Sequence, residues 1–371
     1  MRTSRTTGRL IAGCATREGT ERYRGRFATT RVEDFYRPLS DVLSVSSIGL
    51  GTYLGDCDNE TDRAYTDAAD HAVRSGINLL DSAINYRCQR SERALGAALR
   101  ALISSGAAAR DEIVMCTKAG YIPLDGAPPA TRRDYDALLQ AQYFDTGLIR
   151  PDDIVASGHC IAPAYLVDQI QRSRRNLGVS TIDIFYIHNP EQQLEARSRE
   201  TFNAGMRAAF ARLELEVAGG HIGCYGCATW HGFRAAPGDK SQLMLAELVK
   251  IAEEVGGKDH HFRVVQLPIS LAMPEAVRVP TQPLAGATVP LLQAATDLGI
   301  AVIASAPLMQ GQLVRGLPEK LAEAFPDLKT DAQRAVAFVR SLPRVTAALV
   351  GMKNPAHLRE QIQAVESHER R

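Results

Sequence analysis

The sequence predicts an α/β chain closed as a (β/α)8 TIM barrel, and three observations carry that expectation. Eight short runs rich in Val, Ile and Leu recur along the chain, each followed by an amphipathic stretch of helical period. The runs are apolar on both faces, as parallel strands between a packed interior and an outer ring of helices must be. The rival open sheet would want a G-x-G-x-x-G turn after its first strand. IGLGTYLGD has G-x-G but no third glycine opening a helix.

Each element follows in order. The first strand, VSSIGLGTY (45–53), leads to a helix beginning near Asn59. Gly76 stops that helix, and INLLD (77–81) is the second strand. A helix from about Ser91 leads to EIVMCTK (112–118). The helix from Pro163 stops at Gly178 before TIDIFYIH (181–188). Ser198 caps the next, which ends at Gly219 and Gly220 before HIGCYGC (221–227). A helix from about Ser241, stopped by Gly256 and Gly257, precedes RVVQLP (263–268). One from about Thr288 stops at Gly299 before IAVIASA (300–306), and helices from Asp331 and Asn354 flank the eighth strand, TAALVG (346–351).

A barrel of this kind takes ~250 residues, whereas the chain has 371. The surplus falls in an N-terminal extension (1–44), a long insertion after the third strand (119–162) and a shorter loop after the sixth (268–287). None carries a run of strands and helices of its own. One domain at 45–371 with decorations is therefore expected. Residues 1–31 hold eight arginines against two acids but lack the apolar core of a secretory signal, so they read as a mobile or surface-draped segment.

Lys and Arg number 43 against 42 Asp and Glu. That balance offers no broad positive field, so neither nucleic acid nor a membrane surface is expected as a partner. Seven cysteines, odd in number and scattered, suit a reducing, cytoplasmic compartment better than a disulfide framework. Cys224 and Cys227 have C-x-x-C spacing, but positions three apart on a strand face opposite sides, and no metal site is expected. The oligomeric state stays open.

In this fold the chemistry sits at the carboxyl ends of the strands. The side chains there are Thr52, Asp81, Lys118, His188, Thr229, Gln266 and Ser305, with the phenol of Tyr86 five residues beyond Asp81. A carboxylate beside a lysine holds it charged, and the charged lysine can depress the pKa of a neighbouring phenol.

These segments resemble the aldo-keto reductase superfamily from about Val45 to Val365. GINLLDSAINYRCQRSERALGAAL is similar to its Asp…Tyr segment, VMCTKAG to its lysine strand and TIDIFYIHNPE to its histidine strand. The resemblance implies a catalytic tetrad of Asp81, Tyr86, Lys118 and His188 in an NADP(H)-dependent oxidoreductase interconverting a carbonyl and an alcohol. Hydride would pass from the nicotinamide to the carbonyl carbon while Tyr86 serves as general acid and base. Lys118 would stabilise the phenolate, Asp81 would hold Lys118, and His188 would polarise the carbonyl oxygen.

The resemblance also implies cofactor contacts. Gln266 would meet the nicotinamide carboxamide, and Thr52 and Tyr53 close the first strand beside it. PLMQGQL (307–313), with Leu308, Gly311, Gln312 and Leu313, would face the pyrophosphate through backbone N–H groups. VGMKNPAHLREQIQAV, with Gly351, Lys353, His357, Glu360 and Gln361, would surround the adenine and its ribose phosphate. The helix N-terminus near Asn354 suits a 2′-phosphate and hence NADP over NAD.

Three features depart from the family. Ala228-Thr229 stands where Ser-Asn is common, Ser305 where an aromatic stacks on the nicotinamide, and His357 and Gln361 where Arg and Asn are common. Trp230 or Tyr53 is available to replace the stacking, or each is rim packing. Tyr53, Tyr121, His159 and Trp230 are the candidate substrate contacts, although His159 equally suits capping the helix from Pro163. Aromatic and polar side chains on the insertion fit a ring-bearing polar molecule such as a sugar or a natural-product intermediate. A cofactor-binding regulatory subunit and a non-redox lyase or epimerase remain as alternative uses of the same residues.

Overall fold

The computed structural model describes residues 9–39, 42–156 and 158–366. Arg2 and Arg5 of the arginine-rich start lie outside the described residues. Before the first barrel strand come α1 (Arg17–Phe27) and the hairpin strands β1 (Tyr36–Leu39) and β2 (Leu43–Ser46). There follow β3 (Ile48–Gly51), α2 (Asn59–Arg74), β4 (Leu79–Asp81), α3 (Arg90–Ser104) and β5 (Val114–Ala119). The insertion contributes α4 (Arg132–Leu139), and the chain returns through α5 (Pro163–Leu177) to β6 (Ile182–His188). Next are α6 (Gln193–Ala196), α7 (Arg199–Ala218), β7 (Ile222–Ala228), α8 (Leu245–Gly256) and β8 (Phe262–Pro268). The last portion holds α9 (Glu275–Arg278), β9 (Gln282–Leu284), β10 (Ala287–Val289), α10 (Leu291–Asp297) and β11 (Ala301–Ser305). It ends with α11 (Glu319–Ala324), α12 (Asp331–Ser341), β12 (Val345–Val350) and α13 (Pro355–Gln363).

Eight parallel strands close a barrel in the order β11-β12-β3-β4-β5-β6-β7-β8. Leu79, Val114, Ile184, Tyr186, Val264 and Ile303 fill its interior, while a larger apolar layer packs between the strands and the helices. Both strand faces are therefore buried, which is why the strand runs read as continuous rather than alternating.

The segment expected to be mobile or draped over the surface is instead folded onto the barrel from residue 9 onward. Thr16 caps α1 by accepting from the Gly19 N–H, and Tyr23 and Phe35 are buried. Leu39 and Val45 enter the interior cluster, so the β1–β2 hairpin plugs the amino-terminal end of the barrel. The arginines that suggested a solvated tail make specific pairs: Arg22 bonds Asp111 and Glu112, and Arg26 reaches Glu112 and the Ala107 carbonyl.

Two helix starts differ from expectation. The helix placed near Ser241 begins at Leu245, because Ser241 donates from both its N–H and hydroxyl to Asp239 and so stays in a local turn. The Leu245 N–H is satisfied by the side chain of Gln282, a partner distant in sequence. The helix placed near Thr288 begins at Leu291. Thr288 lies instead in the β9–β10 hairpin, whose two turn residues, Ala285 and Gly286, both have positive φ. No helix among the described residues is long and apolar enough to cross a membrane.

Candidate active site

At the carboxyl end of the barrel lies a cavity of about 770 Å³, within the range of small-molecule and cofactor sites. The strand β4 ends in Asp81, and the chain then leans across β5. The Ser82 N–H donates to the Cys116 carbonyl at 2.9 Å and the Ile84 N–H to the Lys118 carbonyl at 3.1 Å. This crossing sets Tyr86, half-buried on the cavity wall, above Lys118.

Lys118 is fully buried, and its ammonium donates to Asp81 Oδ1 at 2.5 Å and to the Ser82 carbonyl at 2.7 Å. The other Asp81 oxygen accepts from Gln266 Nε2 at 2.9 Å. Burial raises the Asp81 carboxyl above the ordinary carboxylate range against the pull of Lys118. Burial is the largest influence on the Lys118 ammonium and works to lower it, but the charge and hydrogen bond of Asp81 together with Tyr86 outweigh it and hold the group above its usual value. A charged pair sealed from water is the result.

The Lys118 nitrogen sits 5.1 Å from the centre of the Tyr86 ring. Burial pushes the Tyr86 phenol above 10.0, while Lys118 pulls it back without overcoming the rise. The expected depression by lysine is present as a pull, but desolvation is larger. Tyr86 is consequently protonated near neutrality.

His188 ends β6 with its ring 5.8 Å from that of Tyr86. Burial first, then the Lys118 charge, hold its imidazole well below 6.5, so it is neutral. Its carbonyl is fixed by His159, whose Nε2 lies 2.7 Å away, while His159 Nδ1 lies 2.7 Å from the Gln193 amide nitrogen. Gly120 makes this approach possible, because a Cβ there would lie 2.3 Å from the His188 carbonyl oxygen.

Both roles foreseen for His159 therefore give way to a third. It is fully buried with both ring nitrogens engaged, and it pins the insertion to the backbone of His188. Burial holds its pKa at about 4, against 6.5 in an open chain. Unfolding lets it take up a proton below about 6.5, so stability is full above that pH and is lost progressively down to about 4. The loss expected is about 3 kcal/mol, and His188 adds to it with the same sign. Denaturant midpoints at pH 7 and pH 4.5 check this: His159→Gln should flatten the acid decline, and an unchanged slope would refute it.

Of the expected cofactor residues, Thr52, Tyr53, Thr229, Gln266, Ser305, Leu308, Gly311, Gly351, Lys353 and His357 line the cavity. Thr52 spends its hydroxyl on the Asp81 carbonyl and Ser82. Gln266 faces Asp81 as well as the cavity. Thr229 lines the cavity and keeps a buried hydroxyl with no hydrogen-bond partner. Gln312 and Leu313 lie outside the cavity, and the N–H groups of Met309, Gly311, Gln312 and Leu313 donate within their own turn rather than toward an anion. Glu360 and Gln361 are also outside it; the Glu360 carbonyl accepts from Gln333, and Gln361 is buried.

Tyr53 and Tyr121 stand beside Tyr86 and His188, the Tyr53 ring 5.0 Å from Tyr86 and the Tyr121 ring 5.3 Å from His188, and Trp230 lines the same cavity. The sequence reading missed Asn85, Asn189 and Glu191. Asn189, in the left-handed region with φ 47, donates to the Tyr121 hydroxyl at 2.9 Å. Glu191 Oε1 accepts from the N–H groups of Trp230, His231 and Gly232 and so fixes the rim that carries Trp230. The signal was present in HNPE, but its partners lie some 40 positions on. Among the described residues no three His, Cys, Asp or Glu side chains gather to hold a metal ion.

The sequence model of the Aldo/keto reductase family matches residues 47–237. Comparison with curated protein sequences gave no match. Among solved structures, an aldo/keto reductase from Klebsiella pneumoniae in complex with NADP and acetate superposes with a TM-score of 0.58 at 18% identity, covering 89% of each chain. The holo form of an aldo-keto reductase from Bacillus halodurans gives 0.58 at 18% identity, over 90% of this chain and 91% of that one. The matched segment spans just over half of the sequence and contains Asp81, Tyr86, Lys118 and His188: the chain belongs to the aldo/keto reductase family.

Proposed function

We propose that this protein is an NADP(H)-dependent oxidoreductase that interconverts a carbonyl compound and its alcohol. The observation that carries the reading is the meeting of a protonated Tyr86, a neutral His188 and Asp81 on one cavity wall, with Lys118 buried between Asp81 and the Tyr86 ring. When bound, the dihydronicotinamide supplies hydride to the carbonyl carbon. Tyr86 donates a proton to the carbonyl oxygen, and His188 fixes that oxygen and stabilises its growing charge. Lys118 holds the phenolate left behind, and Asp81 keeps Lys118 charged and aimed.

The residues present fit such a cofactor. The unpartnered Thr229 hydroxyl suits the carboxamide, and Lys353 and His357, which line the same cavity, suit a ribose phosphate. Asp81 and Lys353 are the only Asp, Glu, Lys or Arg side chains lining the cavity among the described residues, and Asp81 is already neutralised by Lys118. Tyr86 and His188 are thus flanked by the Tyr53 and Tyr121 rings and by no unpaired charge in contact with them, with Trp230 in the same cavity, which favours a neutral, ring-bearing carbonyl compound over a phosphorylated or carboxylated one.

The test is to titrate the protein with NADPH and NADH by fluorescence, then follow loss of nicotinamide absorbance with neutral and anionic aldehydes and ketones. Turnover with neutral aromatic carbonyls is expected. Binding without turnover on any of them would favour the regulatory reading, and no binding would end the redox one. Replacing Lys353 and His357 together by Ala should lower the NADPH-to-NADH ratio of kcat/KM about tenfold, the worth of one charge-assisted hydrogen bond. An unchanged ratio would show that neither residue meets the phosphate.

A further inference from the structure

Cys57 and Cys88 are 31 positions apart in sequence, and nothing in their spacing marks them as a pair. The fold brings them together. Cys57 lies in the loop after β3, Cys88 in the loop after β4, and the Cys57 thiol donates to the Cys88 sulfur at 3.6 Å. Cys57 is half-buried and reaches solvent, whereas Cys88 is buried.

Cys88 also lies two residues beyond Tyr86. Arg87, Cys88 and Gln89 form three consecutive non-glycine residues with positive φ, of 48, 54 and 69. Such a run is costly for L-residues and persists only when its surroundings hold it. Arg87 does much of the holding: its guanidinium donates to the Asp56 carbonyl at 2.7 Å and to Asp62 Oδ1 at 2.6 Å, tying one loop to the other. Tyr53 of the first loop is in edge contact with Tyr86 of the second.

We propose that Cys57 and Cys88 form an oxidation site through which a hydroperoxide sets the position of Tyr86. In the first step the Cys57 sulfur attacks one peroxide oxygen. The O–O bond breaks, the thiol proton leaves with the departing oxygen as water or an alcohol, and Cys57 becomes a sulfenic acid. In the second step the Cys88 sulfur attacks the Cys57 sulfur and the S–O bond breaks. Hydroxide departs with the Cys88 proton as water, leaving a disulfide. Two thiols are oxidised and one peroxide is reduced. Burial and the neighbouring Cys57 push the Cys88 thiol up to about 12, so the second step is slow and the site answers to sustained oxidant. In a reducing compartment the bond is transient.

Closing the sulfurs to the ~2.05 Å of a disulfide draws the two loops together by roughly 1.5 Å. Because the intervening backbone is already strained, the shift passes to Tyr86, and a displacement of ~1 Å at a proton donor costs up to ~100-fold in rate. This consequence rests on the assignment of Tyr86 as proton donor.

The test treats the full chain with hydrogen peroxide, blocks free thiols and maps peptides without reduction. A Cys57–Cys88 link with loss of two hydrogens is expected. With it, kcat for carbonyl reduction should fall ~10- to 100-fold and return on adding dithiothreitol. Cys57→Ser should keep its kcat under the same treatment. Melting temperature separates this from damage, since a link closing a 31-residue loop should hold or raise it. Absence of the link, full kcat in the linked protein, or equal inactivation of Cys57→Ser would each overturn the proposal. The link itself is read by mass, so a protein that forms it but reduces no carbonyl would count against the functional assignment and not against the thiol pair.

Discussion

Replacing Tyr86 by Phe should lower kcat by about three orders of magnitude while leaving cofactor affinity within about twofold of the parent protein. The substitution removes one oxygen and nothing else. Phe keeps the edge contacts with Tyr53 and His188, so the shape of the cavity wall survives. What disappears is the proton that the proposed reaction passes to the carbonyl oxygen, and among the tyrosines lining the cavity in the described residues Tyr86 is the one whose ring the Lys118 ammonium faces, at 5.1 Å. The Tyr121 hydroxyl already accepts from Asn189 at 2.9 Å. Steady-state kinetics and a fluorescence titration measured on the same preparation decide the matter. A Tyr86→Phe protein with near-parental kcat would remove Tyr86 from the reaction.

The second large effect is expected at Lys118. Lys118→Met should cost about 3–5 kcal/mol of folding stability in addition to abolishing turnover, because the Asp81 carboxylate is left buried without its counter-charge. Gln266 still donates to one Asp81 oxygen, but a neutral amide does not balance a charge. The deficit should shrink as the pH falls, since protonating Asp81 removes the buried charge. Adding Asp81→Asn should restore much of the stability and none of the turnover. Urea midpoints for the two single variants and the double variant measure the coupling directly. If Lys118→Met were as stable as the parent, the pair would be neither buried nor charged.

The barrel and its mouth were legible because both are encoded locally. Strand runs, glycine stops and the polar residue closing each strand lie within short windows, and Asp81, Tyr86 and His188 reach one cavity, with Lys118 buried behind them, by virtue of strand order. What was hidden depends on partners far along the chain. The Leu245 helix start is set by Gln282, the role of His159 by the His188 carbonyl, and the second partner of Asp81 by Gln266. The N-terminal segment misled for a different reason. Its arginine content suits a solvated tail, yet Glu112 and Asp111 wait for two of those arginines, and Tyr23 and Phe35 are the few apolar residues that decide its burial. Composition averages over such residues and loses them.

The closing seam of the barrel has a consequence for how the chain is made. Leu50 of β3 pairs with Val350 of β12, and the hairpin before β3 is tied to the same late region: Arg37 donates to the Val345 carbonyl, and Arg340 to Ser47. At a synthesis rate of roughly 5–20 residues per second, β3 leaves the ribosome roughly 15–60 s before its partner exists. Throughout that interval β3 presents an open strand edge and the hairpin lacks its late partners. The first half of the protein therefore cannot mature as it emerges. Nascent chains stalled before residue 345 should remain protease-sensitive through 45–120, and resistance should appear abruptly once β12 is released.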